Sequence, residues 1–407
     1  MEAGTQIGSV LAAATGRRRR TWAVIRRVIG AAAIVLCALT SAQASDLDRG
    51  PPAPNYASDT CHVARVGAYG PNTEDGPEPD NTGVHITLDE HLLVDPRRDS
   101  DYNGGGQITI SGARAATSWY SIDPLLGGLD RFARFAPDES RSCGPTHAFA
   151  FGVLVFTPRE LASPDVVPGD RPYASLFFIS SGRRYLLADR PVALGSSLTI
   201  GVLGLSAAGT LQNALHRVTG SEQAQGWSHQ ISAGGEPTLR YDVARQALLT
   251  ESRGPDHDFD ATWTAAASAG TVTEASLALS TRFGHIRSPW WAFSPEQSMY
   301  VDATRPAAPP LPADSPAEVF VMAGARVKLR AYNAFLEGQF RHSDLRYDSR
   351  DVNAVLGEAW AGIEWRNSAG YELRYLTRWE SPELREGAGS RSFVWASLEV
   401  SKSFGVR

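Results

Sequence analysis

The stretch GTLQNALHRVTGSEQAQGW contains three side chains whose types and spacing suit general-base chemistry. Gln212 and His216 are four residues apart, so in a helix they lie on one face, and Glu222 follows just beyond. A neutral imidazole can take a proton from water, a carboxylate can orient the imidazole, and an amide can position the water or a carbonyl. A lone histidine on an amphipathic helix is also commonly structural, and both interpretations stay open at this point.

The chain on both sides of this predicted helix has the pattern of β-strands. From Gly83 onward, segments of roughly ten residues with high β-propensity alternate with Gly, Pro, Asp and Ser. In several of them polar and apolar side chains alternate, as in YELRYLTRW at residues 371–379. Alternation fits a soluble sandwich or a membrane barrel, and the Tyr and Trp residues at strand ends favour the barrel. Leu211 and Leu215 form an apolar stripe on the helix, which we expect to lie against the sheet.

The N-terminal segment predicts export. Arginines between residues 17 and 27 precede the apolar run VIGAAAIVLCALTS and the small-x-small cleavage site AQA. We expect residues 1–44 to be a cleavable signal peptide, residues 45–82 a loop-like extension and residues 83–407 a barrel. An N-terminal membrane anchor is the alternative, but it needs about 20 apolar residues. A lipoprotein site at Cys37 is disfavoured because Leu36 is bulky.

Composition narrows the class of protein further. After residue 44 no stretch approaches the run of about 18 apolar residues that a transmembrane helix requires. The formal net charge of −5 gives no basic field for nucleic acid. Cys61 and Cys143 remain after removal of the signal peptide, and they lack the spacing of zinc ligands. One disulfide between them fits an oxidising compartment.

Several stretches, in order along the chain, resemble the outer-membrane lipid A 3'-O-deacylase (LpxR) family. They are LDEHLL with DSDYNGGGQITIS, FGVLVFTPREL, GDRPYASLFF, LQNALHRVTGSEQAQGWSHQISAGGEPTLRYD and RAYNAFLEGQFRHS. The resemblance implies an all-β fold, a transmembrane antiparallel β-barrel of about 12 strands with a short helix in an extracellular connection. It also implies a carboxylic ester hydrolase that uses Ca²⁺ and releases a 3'-linked acyl(oxyacyl) chain from lipid A.

The resemblance assigns roles to individual residues. His216 matches the catalytic base, Gln212 the helical glutamine that supports the site, and Glu222 the downstream glutamate. Asp89 and Glu90 occupy the family's Asn-Asp pair and are the expected metal ligands, since Ca²⁺ prefers carboxylate and carbonyl oxygens.

The chain also departs from the family pattern. Asn103 stands where the family has a threonine, and the family's functional lysine has no counterpart, because the lysines here are Lys328 and Lys402. Arg159 and Arg171 are the remaining candidates for positive charge in the substrate or oxyanion region. These departures leave a rival hypothesis, a catalytically silent structural or pore-like barrel of the same fold.

The expected environment follows from the same resemblance. We expect a monomer in the outer membrane that meets the lipopolysaccharide of the outer leaflet, depends on the barrel assembly machinery and binds no nucleic acid.

Overall fold

A computed structural model describes residues 78–90, 101–138, 141–296, 304–311 and 314–404, and at residues 101–103 and 219 it describes the backbone alone. Twelve antiparallel strands form one closed barrel, in which β1 completes the ring by pairing with β12. The prediction of a barrel of about this size is confirmed, and a sandwich of two sheets is wrong. The strands are β1 (Gly83–Glu90), β2 (Asp101–Ser111), β3 (Ser142–Thr157), β4 (Ala174–Leu187), β5 (Val192–Leu203), β6 (Glu236–Arg253), β7 (Asp258–Gly270), β8 (Val272–His285), β9 (Glu318–Asn333), β10 (Val355–Arg366), β11 (Tyr371–Glu380) and β12 (Phe393–Ser403).

Helices occur only in connections between the described strands. They are α1 (Ala113–Thr117) and α2 (Asp123–Phe132) between β2 and β3, α3 (Ala207–Thr219) between β5 and β6, and α4 (Ala334–Glu337) after β9, with 3-10 turns at Gly226–His229 and Trp290–Ala292. In the described part of the chain, no helix has the length and apolar character needed to cross a membrane. We call the barrel end where β1 begins and β12 ends the terminal end, and the opposite end, which carries α3, the site end.

Strand side chains alternate between the lumen and the outer surface, as the sequence pattern predicts. On β11, Tyr371, Leu373 and Trp379 are exposed outward, whereas Glu372 and Arg374 are buried inward. Successive side chains of a strand leave opposite faces, so a polar lumen and an apolar outer belt follow from one alternating sequence. Exposed outward-facing Val, Leu, Ile, Phe, Tyr and Trp residues line most of the other strands as well.

Ion pairs occupy much of the lumen. Lys328 Nζ donates to Glu380 at 2.5 Å and to Glu358 at 2.9 Å, and Arg282 binds Asp260 at 2.7 Å. Buried charges require such partners because their desolvation is costly.

Part of the β8–β9 connection enters the lumen from the terminal end. Gln246 Nε2 donates to the carbonyl of Phe293 at 2.6 Å. The Glu296 carboxylate accepts from Thr264 at 2.6 Å and from Ser280 at 3.0 Å. The inserted segment and the ion pairs give the barrel a packed polar interior, which weakens the pore-like hypothesis.

Three predictions fall wholly or partly outside the described residues. The signal peptide, residues 1–44, lies outside them, and so does most of the extension 45–82. Cys143 is disulfide-bonded, but Cys61 is not described. The pairing of these two cysteines therefore stays a prediction.

Candidate active site

The helix α3 packs on the outer wall of the barrel, beside β3 and β4. An apolar cluster holds the helix there and contacts the outward-facing Val155 and Phe177. The members of the cluster are Leu161, Tyr173, Ala208, Ala224 and Trp227. Gly209 permits the close approach, since a Cβ at this position would lie 2.6 Å from the Trp227 ring. The predicted helix is thus present, and it is held by side chains from two connections, β3–β4 and β5–β6.

The helix is turned opposite to the sequence-based expectation. Leu211 and Leu215, predicted to lie against the sheet, are about half exposed, and Val218 is almost fully exposed. The buried face instead carries Gln212 and His216. The arrangement suits a bilayer, where apolar side chains gain from facing lipid and polar side chains gain from facing protein.

His216 is buried, at 3 % exposure, and its Nδ1 bonds to the main-chain carbonyl of Glu222. A carbonyl oxygen can only accept, so Nδ1 carries the proton and the lone pair lies on Nε2. The sequence predicted that the Glu222 carboxylate would orient this imidazole. That detail is wrong, because the Glu222 side chain is exposed and its backbone carbonyl is what orients the ring.

Asn213 fixes the loop that carries Glu222 to the histidine. Its Oδ1 accepts from the Ala224 amide at 2.8 Å, and its Nδ2 donates to the Ala224 carbonyl at 2.9 Å. Gly220 ends the helix in the left-handed conformation, with φ of 75°. Sequence reasoning missed Asn213, because its partner is backbone and no side-chain pattern reports a backbone partner.

Gln212 is held in one orientation by a tryptophan. Trp227 Nε1 donates to Gln212 Oε1 at 2.9 Å, and the Trp227 ring packs on Tyr173 with centroids 4.9 Å apart. Within the described part of the chain, the buried Gln212 Nε2 has no hydrogen-bond partner. An amide oriented through its oxygen in this way offers its NH₂ group to a bound ligand.

The two acids of β1 leave opposite faces of the strand. Asp89 is fully buried on the lumenal face, on the same side as His85, whereas Glu90 shares the outward face with Ile86 and Leu88. This follows from the two-residue period of a strand. The two carboxylates therefore lie on opposite faces of the wall, and their expected role as metal ligands stays a prediction.

The outward acid lies beside an irregular part of β2. Glu90 pairs with Gly104, and the Glu90 Oε2 atom lies 2.9 Å from the position of a Cβ at Gly104. Asn103 is the extra residue of a β-bulge between Tyr102 and Gly104, a device common next to active sites. The structure describes only the backbone of Asn103, so its proposed role at the site stays a prediction.

The two candidate arginines differ in burial and in their partners. Arg171 is buried, forms an ion pair with Glu383 and lies 4.4 Å from the centroid of the inward-facing Phe156 ring. Arg159 is exposed, and its backbone amide donates to Asp170 at 3.0 Å. The ion pair with Glu383 places the charge of Arg171 in the barrel interior, and its role in the oxyanion region stays a prediction. The role of Arg159 in the substrate or oxyanion region also stays a prediction.

Asp170 instead organises the connections at the site end. It accepts the Arg171 amide at 2.7 Å and pairs with Arg391 at 2.8 Å. Its carbonyl accepts from the Tyr347 hydroxyl at 2.6 Å. Burial, with the nearby Asp170 charge, raises the pKa of Tyr347 to about 12, so this hydroxyl stays a donor at physiological pH. The sequence pair Asp170-Arg171 is thus a structural element.

The described residues do not provide a metal centre by themselves. Among residues 78–90, 101–138, 141–296, 304–311 and 314–404, no group of three or more His, Cys, Asp or Glu side chains could hold a metal ion. Calcium prefers six to eight oxygen ligands. Backbone carbonyl oxygens can complete such a ligand set, so the expected use of calcium stays a prediction.

Together these features define a transmembrane β-barrel that carries a buried, oriented histidine on a helix outside its wall. The family model described as "Outer membrane protein LpxR" matches residues 36–404. The chain therefore belongs to the LpxR family and is an outer-membrane β-barrel of the lipid A deacylase-like type. No curated protein matches the sequence.

One solved structure supports the fold. The chain is similar to LpxR from Salmonella typhimurium, with 15 % identity, 79 % of this chain and 100 % of that chain covered, and a TM-score of 0.60. The beta domain of the Bordetella autotransporter BrkA matches with 10 % identity, 80 % and 100 % coverage and a TM-score of 0.35. The translocator domain of NalP from Neisseria meningitidis matches with 9 % identity, 80 % and 88 % coverage and a TM-score of 0.30.

Proposed function

We propose that this protein is an ester hydrolase of the outer membrane that releases a 3'-linked acyl(oxyacyl) chain from lipid A. The hydrogen bond from His216 Nδ1 to the Glu222 carbonyl is the observation that carries the proposal. This bond fixes the tautomer in which Nε2 is basic, on a helix that lies where a membrane lipid can reach it.

The reaction follows from the groups that α3 presents. His216 Nε2 takes a proton from water, and the resulting hydroxide attacks the acyl carbonyl. Gln212 Nε2 donates to the oxyanion of the tetrahedral intermediate. The bond between the acyl carbon and the 3'-oxygen then breaks, and the imidazolium returns its proton to the departing 3'-oxygen. The products are a free fatty acid and a 3'-hydroxyl on lipid A.

The position of the helix supports a lipid substrate. Leu211, Leu215 and Val218 are exposed on the face of α3 that points away from the barrel. Lipid A has acyl chains that gain by contact with such a surface. A substrate that diffuses laterally in the leaflet meets this face without entering the lumen, which ion pairs and the inserted segment occupy.

Calcium dependence belongs to the proposal on the family resemblance alone. Asp89 and Glu90 face opposite sides of β1, and no step above passes through a metal. A chelator distinguishes the two cases, because a calcium-dependent enzyme would lose activity in EDTA and recover it when Ca²⁺ is added back.

Mass spectrometry of lipid A tests the proposal. Cells whose lipid A retains its 3'-acyl chain would express the wild type, the His216→Ala variant or the His229→Ala control. His229 is matched because it is also held by a short bond, 2.6 Å to Asp344, but lies outside α3. We expect loss of one acyl chain with the wild type and His229→Ala, and none with His216→Ala. Acyl loss with His216→Ala would overturn the role of His216, and no loss with the wild type would support the silent barrel.

A further inference from the structure

The outer wall has a polar area in its terminal half, where a barrel would be expected to face lipid. Ser181, Arg183 and Tyr185 all leave the outward face of β4, alternating with lumenal neighbours. Ser196 on β5 and Tyr241 on β6 continue the polar area onto the next strands. An arginine and several hydroxyls on the lipid face are unfavourable in bare hydrocarbon.

The helix α2 covers this polar area with two acids. Asp123 accepts from Arg183 Nε at 2.7 Å and from Arg183 Nη2 at 2.5 Å. Asp130, two turns later, accepts from Ser196 at 2.8 Å and from Tyr241 at 2.8 Å. The two acids are seven residues apart and so share one helix face, which meets the wall with matching polar groups.

A glycine allows the helix to approach this closely. A Cβ at Gly127 would lie 2.6 Å from a guanidinium nitrogen of Arg183, whereas a Cβ at the neighbouring Gly128 would meet nothing within 4 Å. Leu126 is fully buried beside Gly127. The docked face of α2 is therefore specific.

The opposite face of α1 and α2 is apolar and exposed. Trp119 is 94 % exposed, Phe132 is 89 % exposed, and Leu125 is also exposed. Leu125 and Phe132 are seven residues apart and share a face. Arg131 and Arg134, both exposed, flank Phe132. A large apolar surface of this kind needs an apolar partner, and basic residues at its margin are typical of helices at a membrane surface.

We propose that the segment from α1 to α2 is embedded in the bilayer leaflet at the terminal end, with Trp119, Leu125 and Phe132 among the acyl chains. The apolar face is continuous with the lipid-facing belt, since Tyr120 packs on the outward Phe149 with centroids 4.9 Å apart and Phe151 on the same strand is exposed. The helix therefore replaces a polar part of the wall with a lipid-facing surface. That this leaflet is the phospholipid leaflet, opposite the one that contains lipid A, rests on the proposed function. The insertion of the segment into a leaflet does not.

Site-specific quenching tests the insertion. The full protein, reconstituted in phospholipid nanodiscs without reductant, would carry a bimane label at Phe132→Cys, with the unsubstituted protein as blank. Ile363→Cys, on the outward face of β10, is the lipid reference. Arg350→Cys, with a side chain 83 % exposed in a connection at the site end, is the water reference. Phospholipid brominated in its acyl chains and aqueous iodide would be the two quenchers.

We expect bromolipid to quench the Phe132 label to within twofold of the Ile363 label, and iodide to quench it several-fold less than the Arg350 label. Iodide quenching equal to that at Arg350 would overturn the proposal. Protection from both quenchers would overturn it as well, since a second copy of the chain would then cover the helix.

A glycine pair tests the docking. Gly127→Ala should at least halve bromolipid quenching at residue 132, because the new methyl group displaces Arg183, whereas Gly128→Ala should leave the quenching unchanged. Heat-modified mobility on gels would confirm that each barrel is folded. Equal quenching in the two folded variants would overturn the docking of α2 through Asp123 and Arg183.

Discussion

Two of the described helices on the outside of the barrel wall, α2 and α3, differ in the partners that their buried polar side chains bind. The acids of α2 bind side chains of the wall, Asp123 to Arg183 and Asp130 to Ser196. The polar groups of α3 bind their own connection instead, His216 to a backbone carbonyl and Gln212 to Trp227.

The two helices also differ in whether a buried polar group remains without a hydrogen-bond partner. On α2 the acids are fully engaged by the strands beneath, as expected for a structural attachment. On α3 a buried amide nitrogen of Gln212 has no partner among the described residues. A buried donor without a partner is costly in a resting protein and useful when a substrate oxygen supplies the partner. The comparison separates a helix that is attached to the wall from a helix that we propose carries the catalytic groups.

The largest effect is expected at His216. Glutamine at this position keeps an amide N–H that can donate to the Glu222 carbonyl but removes the basic Nε2, so the rate of acyl release should fall about 10²- to 10⁴-fold. The measurement is the initial rate of fatty acid release from lipid A in mixed micelles, with thermal stability of the barrel as control. A His216→Gln protein that retains more than about a tenth of the wild-type rate would contradict base catalysis by this residue.

The next effect is expected at Gln212. Leucine at this position removes the NH₂ donor while filling similar volume, and kcat should fall about 10²- to 10³-fold, as for one oxyanion donor. Trp227→Phe keeps the ring packing but removes the N–H that orients the amide, so a loss of about tenfold is expected, the value of one hydrogen bond. Equal losses in the two variants would mean that packing of the helix, not donation, limits the rate.

A smaller effect is expected at Asn213. Alanine leaves the amide of the buried Ala224 without its acceptor, which costs about 1–3 kcal/mol, and the loop that carries the Glu222 carbonyl loses its clamp. We expect kcat to fall about tenfold with KM nearly constant, since the loop positions the base rather than the substrate. Asn213→Asp keeps the acceptor and should recover part of kcat. A change confined to KM would contradict this positioning role.

Replacing Arg183 should affect α2 and leave hydrolysis unchanged. Alanine leaves the Asp123 carboxylate buried without its partner, which should weaken docking by about 3 kcal/mol. Faster hydrogen exchange in residues 113–132 would report it. The double variant Asp123→Asn with Arg183→Met should exchange more slowly than Arg183→Ala, because it leaves no unpaired charge at the position of the Asp123–Arg183 pair. If Arg183→Ala lost hydrolysis without faster hydrogen exchange in residues 113–132, the distinction between a structural α2 and a catalytic α3 would be contradicted.

The barrel and the site helix could be predicted from sequence because both depend on periodicity. Alternation gave the strands, and the i,i+4 spacing placed Gln212 and His216 on one face. The orientation of α3 was missed because Leu211 and Leu215 were expected to seek protein, as they do in water, whereas in a bilayer lipid is the apolar surroundings. Asp89 and Glu90 leave opposite faces of β1 because side chains alternate along a strand, and their shared role stays a prediction.

Glu222 shows why other parts of the site could not be predicted from sequence. Its substitution has the smallest predicted effect on the rate of acyl release. The group that orients His216 is a backbone carbonyl, which every residue type provides and no sequence pattern marks. Glu222→Ala should therefore keep the rate of acyl release within about threefold of the wild type, since a lost exposed charge changes interaction energies by less than about 1 kcal/mol. The matched measurement is the same rate assay with Asn213→Ala, which leaves the Glu222 side chain intact but frees its carbonyl. If Glu222→Ala lowered the rate of acyl release as far as His216→Gln does, the Glu222 carboxylate would be the group that orients His216. The histidine of α3 would then be held by a side chain, as the acids of α2 are.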